Sequence, residues 1–166
     1  MSLGSDFRQQ PKFKRGREGE KVVAGWLMER GWHVIPSYDY SGEDGDKAPK
    51  MTGKHTAFVL PDLDIAQNGK RMWAEVKTKA EATLHRKTQT LEHGISLRHF
   101  RDYKRIQVIT GCDVYVFVYE ECSESLLMRP IGEESDGRVY DGGKMGRGGM
   151  IFWPRSSFKL VAEVPA

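Results

Sequence analysis

The sequence predicts an α/β fold with a mixed central sheet, and three observations carry that expectation. A segment of helical period, "REGEKVVAGWLMERGW", precedes the first strand-like run. Asn68-Gly69 sits between two alternating apolar runs and predicts an antiparallel hairpin, since both residues tolerate positive φ in a tight type I′ turn. A second helical segment then leads into "CDVYVFVYEE", a near-continuous apolar run of the kind buried on both faces. The element order αβββαβ, followed by further C-terminal strands, is that of a layered α/β domain.

The first helix is expected from about residue 16 to 30. Val23, Ala24 and Leu27 share one face, and Gly31 supplies the stop. "WHVIPS" reads as a short strand, and "YDYSGEDGDKAPKMTGKH" as a long polar loop. The hairpin strands are expected from about 57 to 66 and 70 to 78. "EATLHRKTQTLEHG" fits neither period cleanly. "SLRHFRDYKRIQVITG" is a helix closed by Gly111. "LLMRPI" and "GGMIFWP" are later strands, separated by the Gly-rich loop "SDGRVYDGGKMGRGG".

The chain has 166 residues, enough for one domain with a sizeable core, which we place at 16–166. Residues 1–15 read as a flexible terminus, in part an expression remnant, and "MSLGSDFRQQ" lacks the apolar centre of a signal peptide. No apolar run reaches membrane-span length, so no membrane partner is expected and a cytoplasmic location is the default. Cys112 and Cys122 lack zinc-ligand spacing and read as reduced. The net charge of +3 is only mildly basic, but cations concentrate in "PKFKRGR", in "KTKAEATLHRK", which includes Lys79, and in "LRHFRDYKR".

If Asn68-Gly69 forms the loop, Gln67 pairs with Lys70. Continued outward, that register sets Asp64 opposite Trp73, Asp62 opposite Glu75 and Leu60 opposite Lys77. Val59, Leu63, Ile65, Met72, Ala74 and Val76 then share the core face. Asp62, Asp64, Glu75 and Lys77 share the other. Directly opposed Asp and Glu lie about 5 Å apart at Cβ, and their carboxylates repel. Solvent or a cation must screen them, and a hard divalent ion would turn the cost into a gain. Glu20 heads the apolar stripe of the first helix, so it looks inward and calls for a partner, unless it serves only the helix dipole.

Pro61-Asp62 and Glu75-Val76-Lys77 resemble the motif of the PD-(D/E)xK nuclease superfamily. The helix "GREGEKVVAGWLMERGW" is similar to the opening of its Holliday-junction-resolvase-like members, with Gly16 and Glu20 at the motif positions. The stretch from His85 to Glu120 is similar to small phage-type members. The resemblance spans roughly residues 16 to 120. It implies a restriction-endonuclease-like αβββαβ core and Mg²⁺-dependent hydrolysis of DNA phosphodiesters, with Mn²⁺ able to substitute. An endonuclease on branched or duplex DNA, leaving a 5′-phosphate, is the expected type, and a homodimer is admitted. Asp62, Glu75 and the Val76 carbonyl would hold the metal, with Asp64 a second possible ligand. Glu20 would hold a second ion or orient a water, and Lys77 would act on the attacking water and the phosphate. The expected catalytic residues are thus Asp62, Glu75, Lys77 and Glu20.

Basic residues interleaved with aromatics suit a nucleic-acid backbone, and Arg98, Arg101, Lys104 and Arg105 lie beside Phe100 and Tyr103. The same pattern also fits an amphipathic helix whose aromatics are core. Gln107 resembles a helix glutamine of some family members. Lys79, His85 and Arg86, at and just past the hairpin's second strand, are further phosphate-contact candidates. Trp73 and Trp153 read as packing. The competing function is a catalytically idle nucleic-acid-binding module on the same fold.

Overall fold

The structure, a computed structural model, describes residues 11–36, 49–142 and 148–164. Most of the expected polar loop, residues 38–48, lies outside them, as do residues 143–147 of the Gly-rich loop and the first ten of the chain. In chain order the elements are helix α1 (Pro11–Met28), β1 (His33–Pro36), β2 (Lys50–Thr52), β3 (Ala57–Val59), β4 (Leu63–Gln67), β5 (Lys70–Lys79), β6 (Thr83–His85) and β7 (Thr90–Ser96). Helix α2 (Leu97–Thr110) follows, then β8 (Asp113–Glu120), β9 (Ser125–Pro130), β10 (Arg138–Tyr140), β11 (Met150–Pro154) and β12 (Lys159–Glu163). Residues 11–15, expected in the loose terminus, are helical. Gly31 closes the α1 region at φ 81°, and Gly111 caps α2 at φ 66°, its N–H donating to the Gln107 carbonyl at 2.9 Å.

The central sheet runs β1-β4-β5-β8-β9-β12. Strand β8 pairs parallel with β5 and antiparallel with β9, which makes the sheet mixed and places "DVYVFVYE" in its interior. The segment that fits neither period folds as β6–β7 in a second, four-stranded sheet, β10-β11-β7-β6. Part of the Gly-rich loop is also a strand, with Arg138–Tyr140 pairing onto β11.

Both faces of the central sheet are covered. Leu63, Ile65, Ala74 and Val76 pack against Val23 and Leu27 of α1, the core face the alternation predicts. The opposite face is not a solvated outer surface. Trp73, Val116 and Val118 pack there against Phe100, Tyr103 and Ile106 of α2 and against Ile95, Ile151 and Trp153 of the second sheet.

The hairpin register near the turn is the expected one, from Gln67↔Lys70 to Leu63↔Ala74, with Asn68 at φ 49° and Gly69 at φ 78°. Beyond Leu63 it stops. Asp62 is not paired with Glu75, nor Leu60 with Lys77, because the first expected strand breaks in two. Pro61 has no N–H to give a ladder, and β3 leaves to pair with β2, carrying Val59 with it. Strand β5 therefore runs on from Glu75 to Lys79 with β8 as its strand neighbour on one side and, among the described residues, no strand on the other.

Helix α1 approaches this free edge closely at Gly19. A Cβ there would lie 1.8 Å from Thr78 Oγ1 and 3.1 Å from Thr78 Cβ, whereas one at Gly16 would meet nothing within 4 Å. Gly19→Val is therefore expected to push α1 off β5 and destabilise the fold by roughly 1–3 kcal/mol. Gly16→Ala should be neutral or stabilising by up to about 1 kcal/mol, as for a helix-interior glycine. Urea unfolding checks this: a lowered midpoint for Gly19→Val alone is expected, and equal midpoints would contradict the close approach.

Candidate active site at the open edge of strand β5

The strand divergence leaves a cleft of about 410 Å³ lined by Arg15, Gly16 and Glu20 of α1, by Asp62, and by Val76, Lys77, Thr78 and Lys79 of β5. Asp62 sits just before β4, where the ladder has ended. Its Oδ2 accepts the Val76 N–H at 2.7 Å, taking the place a strand carbonyl would fill. Glu75 is 2 % exposed, and both its oxygens are engaged. Lys77 Nζ donates to Oε1, and the Tyr103 hydroxyl donates to Oε2 at 2.6 Å.

Three carboxylates thus act on one ammonium. Burial and the neighbouring charge of Glu75 push the Asp62 carboxyl well above the usual carboxylate range. Glu20 adds to that, while Lys77 and the Val76 N–H offset part of it. Burial works against the Lys77 ammonium, but Glu75, Asp62 and Glu20 outweigh it and hold the proton more tightly than in a free lysine. Burial lowers Lys79, and so does the positive charge of Lys77 and Arg15. Cations crowd the outer part of the cleft over a carboxylate cluster beneath.

The oxygen donors are hard and carboxylate-rich, the set that suits Mg²⁺ or Mn²⁺. Asp62, Glu75 and the Val76 carbonyl are the residues that could hold such an ion, with Glu20 beside them. The repulsion at Asp62, only partly offset by Lys77 and the Val76 N–H, is the observation that fits one. Among the described residues, no three acidic, imidazole or thiol groups converge closely enough to enclose an ion as they stand, since the Lys77 ammonium lies against Glu75.

The structure therefore brings Glu20, Asp62, Glu75, Val76 and Lys77 together, with Lys79 at the same cleft. It does not bring Asp64 there: Arg71 Nε and Nη2 grip the Asp64 carboxylate at 2.9 and 2.6 Å. His85 and Arg86 lie on the β6–β7 hairpin, where a ring nitrogen of His85 is 2.8 Å from Thr88 Oγ1 and Arg86 is exposed. On α2, Arg98, Arg101 and Arg105 are exposed and Lys104 is half-buried. Phe100 and Tyr103 are core residues, each 1 % exposed, so the aromatics do not interleave with the cations at the surface. Arg101 pairs with Glu134 at 3.2 Å and Lys104 with Glu133 at 2.6 Å. Gln107 is half-buried, and its Oε1 is buried without a hydrogen-bond partner among the described residues.

Two residues near the site escaped the sequence reading. Tyr103 was visible only as part of an aromatic-basic run. Its signal was its place on the apolar stripe with Phe100 and Ile106, because a buried phenol needs a partner. The His99 ring lies against the Tyr103 ring, tilted by 44° with centroids 5.9 Å apart. Burial lowers its pKa, and the charges of Glu75 and Lys77 both reach it.

No protein-family model matches the chain, and no curated protein sequence matches it. Solved structures do. Hjc, a Holliday junction resolvase from the archaeal hyperthermophile Archaeoglobus fulgidus, superposes with a TM-score of 0.56 at 14% identity, over 89% of this chain and 93% of that one. A nuclease from a fusselovirus gives 0.49 at 12% identity, over 93% and 89%, and a bacterial homing endonuclease 0.41 at 16%, over 87% and 75%. The last two overlays are too loose to carry weight, and the first shows the fold. The chain therefore shares its fold with that resolvase, a mixed α/β fold of the restriction-endonuclease-like class.

Proposed function

We propose that this protein is a metal-dependent deoxyribonuclease that hydrolyses DNA phosphodiesters, endonucleolytically on branched or duplex DNA. The observation that supports this most is the convergence of Glu20, Asp62 and Glu75 on Lys77, where β5 from Glu75 to Lys79 has, among the described residues, a strand partner on the β8 side only. A bare structural core would gain nothing from holding a mutually repelling carboxylate cluster beside an open cleft.

When bound, a divalent ion supplies a Lewis acid for the scissile phosphate and lowers the pKa of a water. Asp62, Glu75 and the Val76 carbonyl would hold it, and Glu20 would orient a water from the α1 side. Lys77 keeps its proton, so it acts as a donor toward the water and the developing phosphate charge, a use that suits its three movable N–H groups. Lys79 faces the incoming backbone at the cleft, and Arg15 joins it only on leaving its ion pair with Glu121. A panel of labelled junction, flap, duplex and single-stranded DNAs, with Mg²⁺ and with chelator, tests the proposal. Cleavage of none of them sinks it. DNA binding without any Mn²⁺ uptake would favour the idle binding module, which the Glu75–Lys77 pair as it stands would also permit.

Helix α2 is the expected backbone grip, and the ion pairs rank its residues. Neutralising Arg98 or Arg105, neither of them ion-paired among the described residues, should lower the salt slope of DNA binding by about 0.9 each. Arg101 and Lys104 must first leave Glu134 and Glu133, so their removal should change the slope less. Binding isotherms over a salt series check this, and an unchanged slope for the Arg98/Arg105 double alanine variant would remove α2 from the interface.

A further inference from the structure

We propose that α2 is the positioning element of this site, and that its consecutive residues Asp102 and Tyr103 set the spacing of the two carboxylate-bearing segments. The proposal rests on the metal-dependent nuclease reading for its consequence, but on geometry for its content. Tyr103 reaches β5, its hydroxyl 2.6 Å from Glu75 Oε2. Asp102 reaches β3, its Oδ2 accepting the Val59 N–H at 3.0 Å. One helical turn therefore touches both segments that the hairpin no longer ties to each other.

The need for such a tie follows from the break in the ladder. Had the hairpin continued, backbone hydrogen bonds would have fixed the approach of Asp62 to Glu75. Instead β3 pairs away with β2, and the Leu60 N–H goes to the Pro49 carbonyl at 3.0 Å. Successive N–H groups of a strand point to opposite sides. The Val59 N–H thus points away from β2, on the side the hairpin would have used, and Asp102 takes it. Only Leu60 and Pro61 separate Val59 from Asp62, and Pro61 has a fixed φ, so the place of Val59 is carried to the Asp62 backbone.

On the other side, Glu75 has three side-chain torsions to hold. Lys77 holds one oxygen through a flexible four-carbon stem. Tyr103 holds the other through a rigid ring that is 1 % exposed and packed in the α2 core cluster with Phe100, Ile106 and Trp73. The rigid contact, more than the flexible one, fixes where the carboxylate sits. Partners of ligating side chains that orient them in this way change metal affinity or activity about 10- to 100-fold when removed.

The test uses the full chain and four proteins: wild type, Y103F, D102A and D102N. Y103F deletes one hydroxyl and keeps the ring. D102N keeps an acceptor oxygen for Val59 and guards against D102A failing to fold. Mn²⁺ titration by calorimetry should show affinity about 10- to 100-fold weaker in Y103F and D102A and near wild type in D102N. Cleavage should show a lower kcat with the KM for DNA unchanged, which a merely stabilising contact would not produce. Wild-type Mn²⁺ affinity and kcat in Y103F would overturn the role of Tyr103. D102N as weak as D102A would overturn that of Asp102. If wild type itself takes up no Mn²⁺, the nuclease reading fails, and metal-free crystal structures decide the positioning role. A Glu75 carboxylate shifted by about 1 Å or more in Y103F supports it, that being a displacement able to cost a site its function, and an unmoved carboxylate overturns it.

Discussion

Lys77→Ala should cut DNA about a hundredfold more slowly or worse, yet bind Mn²⁺ as well as wild type or better. The two effects separate because Lys77 is assigned to the reacting groups and not to the ion. Its ammonium lies against Glu75 Oε1. Removing it frees Glu75 Oε1, a proposed ligand oxygen, and removes a positive charge from the place an ion would occupy. It also deletes a preorganised donor toward charge that develops on the phosphate, an effect of about 100- to 1000-fold in comparable sites. Glu75→Ala should differ: it deletes a proposed ligand, so both Mn²⁺ affinity and cleavage should fall. Calorimetry on the two variants beside a cleavage assay distinguishes the roles. Wild-type cutting by Lys77→Ala, or unchanged affinity in both variants, would show the assignments to be wrong.

Asp62→Asn should abolish most of the activity while making the metal-free protein more stable. Burial and the charges of Glu75 and Glu20 all disfavour ionised Asp62. Asparagine keeps an acceptor for the Val76 N–H, which Asp62 now takes at 2.7 Å, and brings no charge. The gain should be on the order of 1 kcal/mol, a common size for relieving a functional constraint, or about 2–4 °C in Tm for a domain of this length. A divalent ion should then raise the Tm of the wild type, since it binds the folded state alone, and leave Asp62→Asn nearly unmoved. Melting curves in chelator and in Mn²⁺ measure both parts. A variant that melts below wild type in chelator would mean that the carboxylate cluster is not strained.

The local features of the fold were readable because local chemistry dictates them. Asn68-Gly69 set the turn and four further residue pairs behind it. The alternation of Leu63, Ile65, Ala74 and Val76 identified the α1 face, and glycines at 31 and 111 marked the helix ends. "DVYVFVYE" announced its central place through apolar residues on both faces. The segment around β6 and β7 was not readable. Leu84 and Leu91 are each 48 % exposed on a sheet margin, so burial did not impress a clear period on it.

The candidate site divides along the same line. Residue types and spacing pointed to Asp62, Glu75 and Lys77 as near neighbours, because a tight turn starts the two strands side by side, and the stripe of α1 offered Glu20 either as an inward partner or as a helix-dipole residue. Tertiary structure decided which carboxylates stay. Asp64 is still in the ladder and is held by Arg71, while Asp62 is past its end and reaches the free edge of β5. It also decided that the second face is covered by α2 rather than by water, which turned Tyr103 from a surface aromatic into the partner of Glu75. A turn fixes register only as far as both strands continue to pair. Where they part depends on what else offers hydrogen bonds, here β2 and Asp102, and those partners come from elsewhere in the chain.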